Sequence, residues 1–273
     1  MIVKVLVENT SISDNLGFEH GLCLYIETKE HKLLFDMGKS DLFIKNAEKM
    51  NVDLSIVDLA VVSHGHYDHG GGLKCFLEKN TKAPIYIHEK AFENHYSKRP
   101  NGIASIGLDT SLKDNKRIIF VGDYLKIDDK LELFSNISSK ELISLSNKSL
   151  FMNDGEDLTE DTFSHEQNLI ISEGGKTLLL AGCAHNGIIN ITNKFYDLKG
   201  KYPDYVIGGF HLFNPSTNKT EEPDLIKSIA ERLKKNNTMY YTCHCTGIEA
   251  FELLFEVLDD KIKYLSTGSI VEL

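Results

Sequence analysis

The sequence predicts an α/β fold of two mixed β-sheets with helices on their outer faces. Three observations carry that reading. Short β-branched runs alternate with amphipathic stretches through the first ninety residues or so. From Asn168 a hairpin turned by Gly174-Gly175 leads into regular strand–helix alternation. No Pro/Gly/Ser-rich linker interrupts the 273 residues, so a single domain over residues 1–273 is expected. A chain of that size can bury about three quarters of its unfolded surface, enough for a layered core.

In order, the predicted strands are Ile2–Val7, 22–27, Lys32–Phe35, Leu59–Val62 and 84–87. Helices are expected at 41–50 and Leu73–Lys79, with a shorter one after His88. Between residues 97 and 164 the periodicity weakens, and only 117–121 and 130–134 read as strands among segments rich in Ser, Asn, Asp and Lys. A long irregular insertion in a compact enzyme suits a lid or substrate loop, with partial disorder as the alternative. Regularity returns with a hairpin of 168–172 and 176–181, a helix at 187–194 and a strand at Tyr205–Gly208. A helix at 222–235, the strand Met239–Thr242, the helix Ile248–Leu258 and terminal strands near Lys263 and 269–272 complete the pattern. No internal repeat stands out.

Forty acidic against thirty basic residues give a formal charge of −10. That balance, without any basic run interleaved with aromatics, argues against nucleic acid as a partner. No apolar stretch approaches the roughly 20 residues that span a bilayer. The chain starts on an alternating strand rather than a signal peptide. Five scattered cysteines, odd in number and without a C-x-x-C pair, argue against a disulfide framework and for a reducing cytoplasm. Cys243 and Cys245 flank His244 and read first as small buried residues, with thiolate ligation as the second reading. A small-molecule substrate is therefore the expected partner, and homo-oligomerisation is left open.

Chemistry concentrates between residues 59 and 73, Leu-Ala-Val-Val-Ser-His-Gly-His-Tyr-Asp-His-Gly-Gly-Gly-Leu. His64, His66, Asp68 and His69 fall within six residues, after a buried-strand pattern and before three glycines. Imidazoles this close repel when protonated, and their bare nitrogens are costly to bury unpaired. A divalent cation removes both difficulties. The spacing fits neither a single helix face nor a single strand face, so His64 and His66 aim at one position while Asp68 and His69 aim at its neighbour. Two metals about 3.5–4 Å apart are the natural occupants. A histidine-rich surface loop would need neither the strand nor the glycines.

The His-X-His-X-Asp-His run resembles the signature of the metallo-β-lactamase superfamily. The resemblance implies a four-layer αββα sandwich that holds one or two divalent ions at the sheet edge. Zinc is the first expectation, with iron or manganese as alternatives. Residues 32–38, Lys-Leu-Leu-Phe-Asp-Met-Gly, look like the family's early strand ending in an aspartate, Asp36, that supports the metal loop from behind. A turn aspartate beside Gly38 fits the spacing equally well.

Three more histidines follow apparent strands close to glycine: His185, His211 and His244. Two three-ligand centres need two of them. The preferred assignment gives His64, His66 and His185 to one metal and Asp68, His69 and His244 to the other. The last step leans on the family's late histidine before a glycine. Many members carry a bridging aspartate where this chain has Gly182-Cys183-Ala184-His185. Either Cys183 bridges or, as preferred, water does.

The combination of Glu19-His20-Gly21-Leu22, the 63–72 loop, Gly182-Cys-Ala-His-Asn-Gly187, Gly208-Gly-Phe-His211 and His244-Cys-Thr-Gly247 narrows the resemblance. It is similar to the subgroup of 7,8-dihydropterin-6-methyl-4-(β-D-ribofuranosyl)aminobenzene-5′-phosphate synthase-like proteins, metal-dependent hydrolases of β-lactamase superfamily II. The implied reaction is hydrolysis of a phosphorylated or pterin-like molecule, with Asp68 ligating and orienting the nucleophile. His211 and His20 are candidates for substrate contact or proton transfer; for His20, a partly buried histidine at a strand start is an equal reading. With three arginines in the chain no arginine clamp on phosphate stands out, and lysines such as Lys98 are expected to serve instead. The rival readings are a transferase or synthase joining a dihydropterin to a ribofuranosylaminobenzene phosphate-type acceptor, a di-iron redox protein, and a metal binder without catalysis.

Overall fold

Alternation along each strand decides which layer each residue enters. In Leu59–Val62, Leu59 and Val61 point one way and Ala60 and Val62 the other. The computed structural model, which describes residues 1–153 and 157–273, shows where those faces go. One seven-stranded sheet runs Ile270–Glu272, Ile2–Val7, Cys23–Glu27, Lys32–Phe35, Leu59–Val62, Ile85–His88, Ile118–Val121. Another runs Ile262–Tyr264, Met239–Thr242, Tyr205–Gly208, Lys176–Leu180, Asn168–Glu173, Leu131–Phe134, Tyr124–Lys126. Val5, Leu24, Phe35 and Val61 from the first meet Leu133, Ile171, Leu178 and Ile207 from the second in a core between the sheets.

The outer face of each sheet carries helices. Ala60, Val62, Ile85 and Ile87 pack against Phe43, Ala47, Leu73 and Phe76 of the helices Leu42–Lys49 and Leu73–Lys79. On the far side, Ile188–Lys199, Pro223–Lys234 and Ile248–Leu258 cover the second sheet. Pro223–Lys234 shows why such a segment is helical. Pro223 opens it, Asp224 sits in the first turn, Arg232 and Lys234 sit in the last, and Ile226, Ile229, Ala230 and Leu233 form one buried stripe. The result is the expected αββα arrangement. Each sheet combines three antiparallel with three parallel pairings, so the two halves share a plan that the sequence does not announce.

Two expectations change. No helix follows His88; a turn closed by Ala91 N–H on the His88 carbonyl (2.9 Å) leads into the strand Asn94–Arg99. Burial of alternate residues His95 and Ser97 there obeys a period of two. The stretch from 97 to 164 is also more regular than its polarity suggests. It supplies the first sheet's edge strand Ile118–Val121, two strands of the second, and most of a four-stranded antiparallel sheet of Leu158–Glu160, Leu150–Asn153, Asn94–Arg99 and Gly102–Ser105. Those small strands are partly exposed, so hydrophobic alternation fades. Residues 154–156 of that stretch lie outside the described residues. Among the described residues, no helix is long and apolar enough to cross a membrane.

Candidate metal centre

Chain segments leave the two sheets along a common edge, and the chemistry sits there. Beyond Leu59–Val62 the backbone carries His64, stays extended at His66, then makes a single helical turn, Tyr67–Gly70, that presents Asp68 and His69. Asp36 follows Lys32–Phe35, while His185, His211 and His244 follow Lys176–Leu180, Tyr205–Gly208 and Met239–Thr242. Asp36, Ala184, His211 and His244 all adopt positive φ between 51° and 59°. Strain of that kind persists only where surrounding bonds hold it, and it clusters at functional sites.

Distances group the side chains. Ligand atoms of His64, Cys183 and His185 lie within 4.8 Å of one another, as do those of His69, Cys183 and His244. The His66 ring lies edge-on to those of His64 and His185, with centroids 4.6 and 5.0 Å away. His69 Nε2 is 3.2 Å from His244 Nε2 and 3.1 Å from Cys183 Sγ. Asp68 Oδ2 is 3.3 Å from His244 Nε2, 3.8 Å from His69 Nε2 and 3.1 Å from His20 Nε2. Every residue of the expected six is therefore at the cavity floor or in contact with it. Cys183, the alternative to water as the bridge, belongs to both groups.

Four of the histidines are tethered from behind. Ser63 Oγ faces His64 Nδ1 (2.8 Å), Asp36 Oδ2 faces His69 Nδ1 (2.7 Å), Asn147 Oδ1 faces His185 Nδ1 (3.1 Å) and Asn9 Oδ1 faces His244 Nδ1 (2.8 Å). Each acceptor holds the proton on Nδ1 and leaves Nε2 bare towards the centre, the usual arrangement behind metal-bound histidine. Asp36 also accepts Ser63 N–H (2.7 Å) and Ser63 O–H (2.8 Å), which ties the early strand to the loop. Glu8 and Glu166, both buried, accept the backbone N–H groups of His244 and His185 at 2.6 Å.

Electrostatics agree for three of the ligand histidines, whereas at His69 burial is outweighed by the Asp36 and Asp68 carboxylates, which push the pKa up. Burial, with the neighbouring imidazoles, pushes His64, His66 and His185 well below their ordinary pKa, so they are neutral and can donate lone pairs. Burial works against the charged form of Asp68 too, but the neighbouring His69, with a hydrogen bond from His20, outweighs it and keeps the carboxyl ionised. Burial drives the Cys183 thiol up, so its thiolate needs a cation beside it. Nε2 of His64 and of His185 is buried without a partner. Orphaned lone pairs, a carboxylate and a thiol converging on one volume fit one or two divalent ions.

Above this floor opens a cavity of about 410 Å³. His20 and His211 line it as expected; the His211 ring is 4.2 Å from that of His185 and neither of its buried nitrogens has a partner. Tyr67, Ile106 and Leu150 give one apolar stretch of wall, and Ser97, Arg99, Ser146 and Ser149 a polar one. Arg99, not Lys98, reaches the cavity, because alternate residues of their strand face it. Sequence reasoning also missed Asn9, Asn147 and a buried trio, His95, Asp161 and His165. His165 precedes a strand rather than ending one, so the strand-end pattern that found His185 passes it by.

The sequence pattern of the metallo-β-lactamase superfamily matches residues 16–230. The chain belongs to that superfamily. An uncharacterized protein of Methanocaldococcus jannaschii is 27% identical over 278 residues, covering 99% of both chains. A 7,8-dihydropterin-6-methyl-4-(β-D-ribofuranosyl)-aminobenzene-5′-phosphate synthase of the same organism is 24% identical over 93% of this chain and 90% of its own. The crystal structure of Tm1679, a metal-dependent hydrolase of the β-lactamase superfamily, superposes with a TM-score of 0.84 at 27% identity, covering 100% of this chain and 99% of the other.

Proposed function

We propose that this metallo-β-lactamase-fold chain is a metal-dependent hydrolase of a small phosphorylated or pterin-like molecule. The observation that carries it is the convergence of His64, His66, Asp68, His69, His185 and His244 beneath an open cavity. His64, His66 and His185 would hold one ion, and Asp68, His69 and His244 the other, with Cys183 between them. When bound, such ions supply a water ionisable near neutral pH and polarise the substrate oxygen. Zinc suits this nitrogen, oxygen and sulfur set, with iron or manganese as alternatives.

The chain's own residues set the rest. Asp68, held ionised, orients the attacking water by accepting its proton-bearing side. His20 donates its Nε2–H to Asp68 Oδ2 and so holds that carboxylate in place for the water. His211, with two unpartnered nitrogens, faces the substrate and can protonate a leaving oxygen. Arg99 and the serine hydroxyls suit a phosphate, and the Tyr67–Ile106–Leu150 wall suits a flat ring. Five cysteines without a disulfide fit a cytoplasmic enzyme. The stretch from 97 to 164 supplies Arg99, Ser146 and Ser149, in keeping with a substrate-binding insertion within a single domain.

The synthase relative favours a second reading, transfer to an aromatic acceptor instead of to water. Purified protein should be assayed for metal content, then screened against phosphodiesters, lactones and pterin conjugates with and without an arylamine acceptor. Hydrolysis that disappears in metal-free His66→Ala and Asp68→Ala protein supports the proposal. Turnover persisting without metal refutes it, and product formed only with acceptor moves the assignment to transfer.

A further inference from the structure

His66 breaks the pattern of its neighbours. Nε2 of His66 is buried without a partner, like that of His64 and His185. Among the described residues, however, none holds its Nδ1 from behind as Ser63 and Asn147 hold those of His64 and His185, and the residue lines the cavity, which leaves Nδ1 to face the metal centre. On the buried side lie His95, Asp161 and His165, fully or almost fully enclosed, with ligand atoms that fall with that of His66 within 4.8 Å of one another.

The protons of this trio can be placed in sequence. Gly65 N–H can only donate, and it donates to His165 Nδ1 (2.9 Å). His165 therefore carries its proton on Nε2, which donates to Asp161 Oδ2 (3.2 Å). His95 Nδ1 lies 3.0 Å from the same carboxylate oxygen, so it too is protonated and donating. Nε2 of His95 is then a bare lone pair, and it is buried with no partner. It lies 2.7 Å from where a Cβ on residue 65 would sit, one residue from His66, and the two rings stand edge-on with centroids 5.6 Å apart. A metal ion among these four residues would have to break the bonds that already commit both nitrogens of His165 and Oδ2 of Asp161.

We propose that His95 is the positioning residue of His66: its bare Nε2 accepts the His66 Nε2–H through one bridging water and leaves His66 Nδ1 bare for the metal. Asp161 and His165 fix the His95 tautomer, and the Gly65 amide closes the circuit within the metal loop itself. The small sheet that carries His95, together with Asp161 just beyond its last strand, is thereby coupled to the centre it covers. Removal of an outer partner of this kind typically costs 10–100-fold in metal affinity.

The inference rests on His66 as a ligand, but its test needs no turnover. Histidine ¹⁵N NMR on metal-free protein reads the His66 tautomer, and chelator competition reads zinc affinity in wild type, His95→Leu, His95→Gln and Asp161→Asn. The expected result is an Nε2-protonated His66 in wild type, lost in His95→Leu, with affinity at one equivalent falling 10–100-fold. His95→Gln, which offers an acceptor oxygen, should stay within a few-fold of wild type. Should His95→Leu fail to fold, Asp161→Asn, which keeps His95 packed and disturbs its tautomer, should show the same loss. Unchanged tautomer and affinity in these variants overturn the proposal. So does an extra equivalent of zinc in wild type that His95→Leu lacks, since that would make the cluster a metal site.

Discussion

The Sγ of Cys183 lies 3.1 Å from Nε2 of His69 and belongs to both groups of converging ligand atoms. A soft thiolate there favours thiophilic ions over magnesium or calcium. Cobalt-loaded protein should show a sulfur-to-metal charge-transfer band in the near ultraviolet. Cys183→Ser should lose that band and one of two bound equivalents, read by absorption and elemental analysis. An unchanged spectrum would mean that the thiol is only packed beside the centre.

Asp36 holds both His69 and Ser63 from behind. Asp36→Asn replaces one acceptor oxygen by a donor and leaves a buried N–H facing another N–H. Metal affinity should fall 10–100-fold, and apoprotein stability by about 1–3 kcal/mol. Chelator competition and urea unfolding measure the two separately.

Gly182 has no room for a side chain, because a Cβ there would collide with Ser63 Oγ and sit 3.0 Å from His64 Nδ1. Gly182→Ala should therefore displace the His64 tether and weaken one metal equivalent while the sheets remain formed. Circular dichroism unchanged with metal binding intact would contradict this.

His88 lies buried at the end of its strand, with Nδ1 accepting Lys90 N–H (3.2 Å). Burial, aided by His165 and Lys90, lowers its pKa from 6.5 to about 4. A histidine depressed in the folded state contributes fully above pH 6.5 and loses that contribution as pH falls through 4. After allowance for partial screening, metal-free protein should lose about 2 kcal/mol on this account between those limits. His88→Asn keeps an acceptor for the Lys90 amide and should flatten that part of the urea midpoint against pH. A variant curve as steep as wild type would rule His88 out as a source.

The layered fold and the metal loop were legible because each rests on local chemistry: periodicity for Leu59–Val62 and Pro223–Lys234, ligand spacing for His64 to His69. His185 and His244 were found by the repeated strand–glycine–histidine design. The partners behind them were not, since Asn9, Asn147 and His95 come from distant segments and carry no spacing signal. Asn9 meets His244 across 235 positions and Asn147 meets His185 across 38. Arg99 was passed over because only the fold of the polar insertion turns it towards the cavity.

The two halves share a plan, yet neither owns a complete centre. Each ion would take ligands from the first half and from the second, as His69 and His244 meet across 175 positions and His69 and Cys183 across 114. An ion held that way is a removable staple between halves. In the cross-link model a tie of such span subtracts roughly 5 kcal/mol of unfolded-chain freedom. Stripping the metal should therefore do more than silence the site: calorimetry should find a lower, broader transition in which the halves begin to melt apart.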